Sequence, residues 1–316
     1  MLDKKNEHDK IKRLGEQIML AGTIKAGDII GIISPSHVAE KERYSRFFNT
    51  INSIGFNVKE GKNLYKNTHV YLASKQERAD DFNEMILDDE VKMVLFGGGN
   101  GGNDLLPYIN YENIKKHPKI ICSYSDGTSI LNAIYNKTGL IVYYGQFPGI
   151  FGDLRYYDYT QFISNFVNGP VKQFSPNRKI KIIVSGKCDG ILIGGYTVNT
   201  ALLMGSKYFC YNDSNKYILL LEDYEKFSKP EHIHAYISHI EQSDFIKNVS
   251  GLIFGHYSEN EYPELNQFLE RFGKRYKIPV IMSDDIGHGI NHAVFPIGCH
   301  VEIDTNYETI KFVSYI

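Results

Sequence analysis

The sequence predicts an α/β fold, with a mostly parallel sheet and flanking helices in the N-terminal half and a smaller, strand-rich α/β domain after it. The first observation is that short apolar runs alternate with helical periodicity over residues 28–136. The second is a stretch rich in Gly, Pro and polar residues at 168–178, which is typical of a linker. The predicted organisation is an extension at 1–20, a first domain at 21–168, a linker at 169–182 and a second domain at 183–316.

The predicted elements of the first half follow one another as strand and helix. Such an order favours parallel strands joined by crossover helices. The predicted strands cover residues 28–36, 56–59, 91–96 and 119–122, and the predicted helices cover residues 40–54, 74–87, 127–136 and 159–167. The helix at 74–87 is expected to carry Arg78 and Asp81 on its polar faces.

The second half has a similar mixture with more strands. Its predicted strands cover residues 190–194, 217–222, 249–255, 279–282 and 301–313, and its predicted helices cover residues 199–204 and 230–242.

Composition excludes several classes of function. A net charge of −2 gives no strong attraction to a nucleic-acid polymer or an anionic membrane, so neither is expected as a partner. The first 20 residues lack the apolar core of a secretory signal, and no apolar run reaches the roughly 18 residues of a membrane span. We therefore expect a cytoplasmic protein.

Metal and cofactor sites are not expected either. The four cysteines form no C-x-x-C pair and no zinc-site spacing with histidine, so we expect them to be reduced and mostly buried. They are Cys122, Cys188, Cys210 and Cys299.

Ser125 is the first candidate for chemistry. It lies directly after a short apolar strand and directly before a helix, so its hydroxyl is held out from the sheet. The N-terminus of the helix favours negative charge that develops nearby. The alternative is that Ser125 or Asp126 only caps this helix. A cysteine nucleophile at Cys122 is a weaker possibility, because that residue lies inside the strand.

The glycine-rich segment 97–102 is the second candidate. Its five glycines allow the backbone to approach a ligand closely, and its N–H groups suit an oxyanion or a carboxylate. It matches neither dinucleotide-binding nor Walker loops, which argues against a nucleotide cofactor. The alternative is an ordinary flexible turn.

A carboxylate and an imidazole are also placed for catalysis. Glu222 ends an apolar strand, where it suits the orientation of a histidine, with Asp223 and Glu225 as rivals. His288 lies between two glycines in a predicted loop and has the ordinary pKa of a general base, with competitors elsewhere in the chain. These competitors are His37, His256 and His292. The chain order Ser, Glu, His is one that triad hydrolases use.

Several segments together resemble the LD-carboxypeptidase family of serine peptidases, which also contains the microcin C immunity peptidases. The resemblance extends from about Ala26 to Ile303. Its motifs are KAGDIIGIISPS at 25–36, YLAS at 71–74, ERADDFN at 77–83, DEVK at 89–92, GGN at 98–100, LLPY at 105–108, YSD at 124–126 with Thr128, LED at 221–223, GHG at 287–289 and PIG at 296–298.

The resemblance implies a two-domain serine hydrolase with its active site in the groove between the domains, and a homodimer. It places the nucleophile at Ser125, the acid at Glu222 and the base at His288. It also implies that the N–H groups of Asp126 and of Gly98 or Gly99 form the oxyanion hole. No metal or cofactor is implied. The expected reaction is hydrolysis of a C-terminal amide bond in a small peptide derived from peptidoglycan.

Some positions depart from the family pattern, and they leave the substrate open. They are Ser123, Gly127, Tyr196, the sequence Gln-Phe-Pro after Gly145, and a glycine-rich loop without the family's Arg and Tyr. One alternative is a peptidyl-nucleotide hydrolase that gives immunity to microcin C-type antibiotics. The tyrosine pairs 143–144 and 156–157 are candidates there for stacking on a base, or else for packing at domain edges. A second alternative is an inactive peptide-binding homologue.

Overall fold

A computed structural model describes residues 18–314, so most of the extension predicted at residues 1–20 lies outside the described residues. Within 18–314 the strands are β1 (Ile29–Ile33), β2 (Asn57–Glu60), β3 (Val91–Phe96), β4 (Ile120–Ser123), β5 (Val142–Tyr144), β6 (Lys181–Val184), β7 (Lys187–Tyr196), β8 (Tyr217–Glu222), β9 (Val249–Phe254), β10 (Val280–Met282), β11 (Phe295–Ile297), β12 (His300–Asp304) and β13 (Thr309–Ser314).

The helices flank the strands. They are α1 (Lys41–Ser53), α2 (Lys75–Leu87), α3 (Tyr111–Lys116), α4 (Thr128–Thr138), α5 (Tyr156–Phe162), α6 (Thr197–Leu203), α7 (Pro230–Glu241) and α8 (Pro263–Tyr276). No helix between residues 18 and 314 is both long and apolar enough to cross a membrane.

The first sheet has the strand order β11-β5-β4-β3-β1-β2. All its neighbours are parallel except β11, which is antiparallel to β5. Ile32 pairs with Leu95 in the next strand, and both are fully buried because helices cover both faces of the sheet. The predicted parallel sheet is confirmed.

The second sheet has the order β13-β12-β7-β8-β9-β10-β6. Its centre, from β7 to β10, is parallel, and its edges are antiparallel. The sheet confirms the predicted second α/β domain. Helix α8 was not predicted, although Leu265, Leu269 and Phe272 bury one face of that helix at helical spacing.

The domain limits remain a prediction, and two strands lie across them. Strand β6 begins at Lys181, before the predicted end of the linker at 182. Strand β11 lies far inside the predicted second domain but joins the first sheet.

One prediction about α2 was wrong, because Arg78 and Asp81 are buried rather than on polar faces. The Arg78 guanidinium donates to the carbonyl oxygen of Ala73 at 2.9 Å and to that of Gly101 at 3.0 Å. Asp81 accepts hydrogen bonds from the backbone and side chain of Asn63. Buried charges are tolerated when they are hydrogen-bonded in this way, and here Arg78 holds the end of the glycine-rich loop.

Candidate active site

Ser125 lies in the turn between β4 and α4, which begins as a short 3-10 segment at Ser125–Gly127. Its φ is +54°, a left-handed conformation that a residue with a side chain rarely adopts. This is the strained strand-to-helix turn expected of a nucleophile elbow. Helix-capping residues usually have an extended backbone instead, and neither Ser125 nor Asp126 caps this helix through its side chain.

The structure brings the three predicted side chains together. The distance from Ser125 Oγ to His288 Nε2 is 3.0 Å. His288 Nδ1 lies 2.8 Å from Glu222 Oε2 and 3.0 Å from Glu222 Oε1. A carboxylate only accepts hydrogen bonds, so Nδ1 carries the proton, and Nε2 of the neutral ring is free to accept the hydroxyl proton of Ser125. Ser125 and His288 are 163 positions apart in the sequence.

Glu222 is completely buried at the end of β8. Its oxygens accept from the His288 ring, from the His288 backbone N–H at 3.3 Å and from the Tyr144 hydroxyl at 2.5 Å. The loop can approach so closely because Gly287, at φ +88°, has no side chain. A Cβ there would lie 2.3 Å from Glu222 Oε2. Gly287 is therefore needed for the close contact between His288 and Glu222.

The electrostatics of this pair favour a stronger base. Burial lowers the pKa of His288, but the charge and hydrogen bond of Glu222, with the charge of Asp223, leave that pKa above its ordinary value of 6.5. An imidazole with a raised pKa takes a proton from a hydroxyl more readily.

Gly98 adjoins the nucleophile. A Cβ on Gly98 would lie 2.5 Å from Ser125 Cβ and 2.8 Å from Ser125 Oγ, so the backbone touches the hydroxyl only because residue 98 is glycine. Gly99, the other candidate for the oxyanion hole, packs against Ser36. A Cβ on Gly99 would lie 2.1 Å from the Ser36 carbonyl oxygen. His37 Nδ1 donates to the Gly98 carbonyl at 2.9 Å. In the trans peptide that follows, the N–H of Gly99 points away from His37.

Asp126 holds the turn through its side chain. Its carboxylate accepts from the N–H of Gly102 at 2.6 Å and from the Asn199 amide at 2.8 Å. These bonds join the nucleophile turn to the glycine-rich loop and to α6 of the second domain. Asp126 was predicted as a helix cap or as an oxyanion-hole N–H, and Asn199 was not predicted, because no motif marks an asparagine that bridges two domains.

The rival acids and histidines have other partners. Asp223 accepts from Ser228 and from the N–H of Tyr224, and burial raises the pKa of Asp223 to about 6. His292 Nδ1 lies 3.1 Å from Asp158. The contacts of the others are equally separate: Glu225 donates its N–H to Tyr257, His37 contacts Gly98 and Tyr44, and His256 lies 3.9 Å from Asp284.

The cysteine alternative loses support. Cys122 is completely buried, and burial raises its pKa to about 12. A thiol with so high a pKa is not a nucleophile at neutral pH. Within residues 18–314 no group of three or more His, Cys, Asp or Glu side chains is arranged to hold a metal ion.

Aromatic rings surround the imidazole, a feature that the sequence analysis missed. The Tyr224 ring is stacked on His288, with 5.7 Å between centroids and 8° between planes. Tyr124, Tyr196 and Phe227 lie at 5.0, 5.1 and 5.6 Å from the same ring. Phe227 is 65% exposed and so is open to a ligand.

The tyrosine pairs suggested for base stacking are not among the rings that surround the imidazole. The 143–144 pair is buried in β5, which contradicts that role. Tyr156 is exposed, and the half-buried Tyr157 donates its hydroxyl to the Ser175 carbonyl.

Comparison with known proteins places the chain in a family. A model of the LD-carboxypeptidase N-terminal domain matches residues 30–145, and one of the C-terminal domain matches residues 189–303. The probable murein peptide carboxypeptidase of Bacillus subtilis (strain 168) is 28% identical, covering 90% of this chain and 92% of its own length. The microcin C7 self-immunity protein MccF of Escherichia coli is also 28% identical, covering 94% of this chain and 96% of its own.

Comparison with solved structures supports the same family. The crystal structure of an MccF-like protein from Bacillus anthracis str. Ames superposes with a TM-score of 0.84 at 27% identity, covering 94% of this chain and 99% of that chain. It has the same two-domain α/β architecture as this chain. The two family models together match well over half of the residues. The chain is therefore a hydrolase that belongs to the LD-carboxypeptidase family.

Proposed function

We propose that this chain is a serine-type carboxypeptidase in which Ser125 is the nucleophile, His288 the general base and Glu222 the residue that orients the base. The observation that carries the proposal is the 3.0 Å distance between Ser125 Oγ and His288 Nε2, with the buried carboxylate of Glu222 on the far side of the ring. Nucleophile, base and orienting acid in such contact are the parts needed for acyl transfer.

The reaction follows from these contacts. His288 Nε2 takes the Ser125 proton as Oγ bonds to the carbonyl carbon of the substrate. The backbone N–H groups of Asp126 and of the glycine-rich loop at Gly98 or Gly99 stabilise the resulting oxyanion. His288 then gives its proton to the leaving amine as the C–N bond breaks, and water hydrolyses the ester by the same route in reverse. No step needs a metal or cofactor, so a chelator is expected to leave the rate unchanged.

The proposed substrate is a small peptide from peptidoglycan, cut at the bond between an L-centre and the terminal amino acid. The family of the chain and the name of its Bacillus subtilis relative support this choice. A cation or a nest of N–H groups can bind the terminal carboxylate. Lys226 Nζ lies 5.3 Å from the ring centroid of Tyr224, which itself stacks on His288, so Lys226 is placed to supply a cation. Lys226→Ala is then expected to raise KM more than it lowers kcat.

The direct test is release of terminal D-Ala from a muropeptide tetrapeptide by Ser125→Ala. We expect the variant to lose activity by about 10⁶-fold, as in other triad hydrolases. Ser123→Ala is the matched control, because the Ser123 hydroxyl donates to the Phe96 carbonyl, away from His288. A wild-type rate for Ser125→Ala would show that Ser125 is not the nucleophile. A covalent fluorophosphonate adduct on Ser125 would independently exclude an inactive binding protein.

A second candidate substrate is a peptidyl-nucleotide. The exposed ring of Phe227, 5.6 Å from the His288 ring, favours it, because a base can stack on an aromatic side chain that is open to solvent. Assays of both substrates side by side decide the matter, and Phe227→Ala should weaken only the nucleotide substrate.

Cytoplasmic location and a homodimer are also part of the proposal. The family to which the chain belongs supports both. Light scattering of the purified chain measures the oligomer directly, and a monomer at all concentrations would contradict the dimer.

A further inference from the structure

We infer that Tyr144 is a positioning residue that joins the backbone of the nucleophile to the carboxylate of Glu222. This inference rests on the proposed function, because it concerns the geometry of the same three side chains. Tyr144 ends β5 in the first sheet, and its side chain is fully buried. Tyr144 is therefore part of the buried core and is not exposed to substrate.

The direction of each hydrogen bond at the Tyr144 hydroxyl is fixed. The backbone N–H of Ser125 can only donate, so the hydroxyl oxygen accepts from it at 3.1 Å. The single hydroxyl proton then goes to Glu222 Oε1, 2.5 Å away. Burial first, and the charge of Glu222 second, raise the pKa of Tyr144 well above its ordinary value. The hydroxyl thus remains a donor wherever the enzyme works.

This contact crosses from one domain to the other. Tyr144 belongs to the first sheet and Glu222 to β8 of the second. The ring reaches across at Gly195 of β7, where a Cβ would lie 2.8 Å from Tyr144 Cε2. Gly195 also has a φ of +141°, which favours glycine there. The Tyr144 ring therefore fits against β7 because residue 195 has no side chain.

Two consequences for the site follow. Tyr144 binds Oε1 while the His288 backbone N–H binds Oε2, so both oxygens are held facing Nδ1. The Tyr144 hydroxyl also draws negative charge from Glu222. That reduces the effect by which Glu222 raises the pKa of His288.

Tyr144→Phe tests the inference, since it removes the hydroxyl and keeps the ring. We expect kcat to fall about 10- to 100-fold, the cost of losing a hydrogen bond to a charged group, with little change in KM. The acidic limb of the pH–rate profile should move to higher pH, because Glu222 then keeps more charge for the imidazolium. A purely structural role would not move this limb.

Tyr143→Phe is the matched control. Tyr143 is the neighbouring residue on β5, equally buried, and its ring packs edge-on against Phe166. We expect its kcat and pH profile to equal those of the wild type.

A second substitution gives the opposite sign and protects the test if Tyr144→Phe does not fold. With 3-fluorotyrosine at position 144 the hydroxyl is a stronger donor, so the acidic limb should move to lower pH. The inference would be overturned if the acidic limb of the pH–rate profile stayed in place in those variants that fold.

The same assay with Ser125→Ala separates the two ideas. If Ser125→Ala keeps the wild-type rate, the proposed function fails. If it is inactive while Tyr144→Phe matches the wild type in kcat and pH profile, only the role of Tyr144 is refuted.

Discussion

The two sides of the site are held in different ways. On the first domain, backbone geometry places the nucleophile, with Ser125 at a φ of +54° and Gly98 close enough to touch its hydroxyl. On the second domain, side-chain hydrogen bonds place the base, with His288 fixed by the fully buried Glu222. The difference teaches that the nucleophile side fails through steric change, whereas the base side fails through loss of charge or of an acceptor.

Among variants that keep Ser125 active, the largest expected effect is on the base side. Glu222→Gln keeps the shape, but its amide nitrogen cannot accept from Tyr144 or from the His288 backbone, and it favours the wrong tautomer of the ring. We expect kcat to fall about 10⁴-fold, as when the orienting acid of another triad becomes an amide. Steady-state kinetics measure this.

Glu225→Gln is the matched control for that substitution. It lies three residues further along the chain, in the loop that follows β8, and its backbone N–H contacts Tyr257 rather than the imidazole. Equal losses in the two variants would mean that the loop as a whole, and not the contact with His288, supports the activity.

The next effect is on the nucleophile side. Gly98→Ala places a methyl group 2.8 Å from Ser125 Oγ, so either the hydroxyl or the loop must shift. We expect kcat/KM to fall about 10²–10³-fold, the scale of one lost oxyanion donor. Gly22→Ala is the control, because a Cβ added at Gly22 would meet nothing within 4 Å. An unchanged rate in Gly98→Ala would remove this loop from the proposed oxyanion hole.

The pH profile sharpens the comparison. His288 must be neutral to accept a proton, and its pKa is raised by Glu222. The wild-type rate should therefore increase with pH through a limb that lies above the ordinary histidine pKa of about 6.5. In Glu222→Gln the limb should move to lower pH, and in Gly98→Ala it should stay. A limb that moves in Gly98→Ala instead would contradict the division between the two sides.

The smallest effect concerns stability. A left-handed backbone costs a residue with a Cβ about 1–2 kcal/mol, and glycine escapes most of it. Ser125→Gly should therefore be more stable than Ser125→Ala by about 1 kcal/mol, although both are inactive. Chemical denaturation measures the difference. Equal stabilities would show that the turn at Ser125 stores no strain.

Much of the fold follows from local pattern. Strands β1, β3 and β4 of the first sheet are mostly apolar runs that glycine or polar residues end, so their order along the chain predicts the parallel sheet. Strand β11 was missed because Phe295–Ile297 is three residues long and contains a proline. Nothing local in so short a segment indicates which sheet it joins.

The site was predicted in part. Ser125, Glu222 and His288 each have a local signal, a strand end or a glycine-flanked loop, and the structure brings them together. Tyr144 and Asn199 have none, because each acts across the domain boundary on a residue remote in sequence. Arg78 was misplaced for a similar reason, since two of its partners are the carbonyl groups of Pro35 and Gly101, which are distant in sequence.

Strand β11 has a consequence for motion. The segment that carries His288 leaves the second sheet at Met282, the end of β10, and enters the first sheet at Phe295, where β11 pairs with Tyr144 of β5. The segment that carries the imidazole is thus attached to a strand at each end, one strand in each sheet. Rotation of one domain against the other would pull this span from both ends and would change the distance between His288 and Ser125.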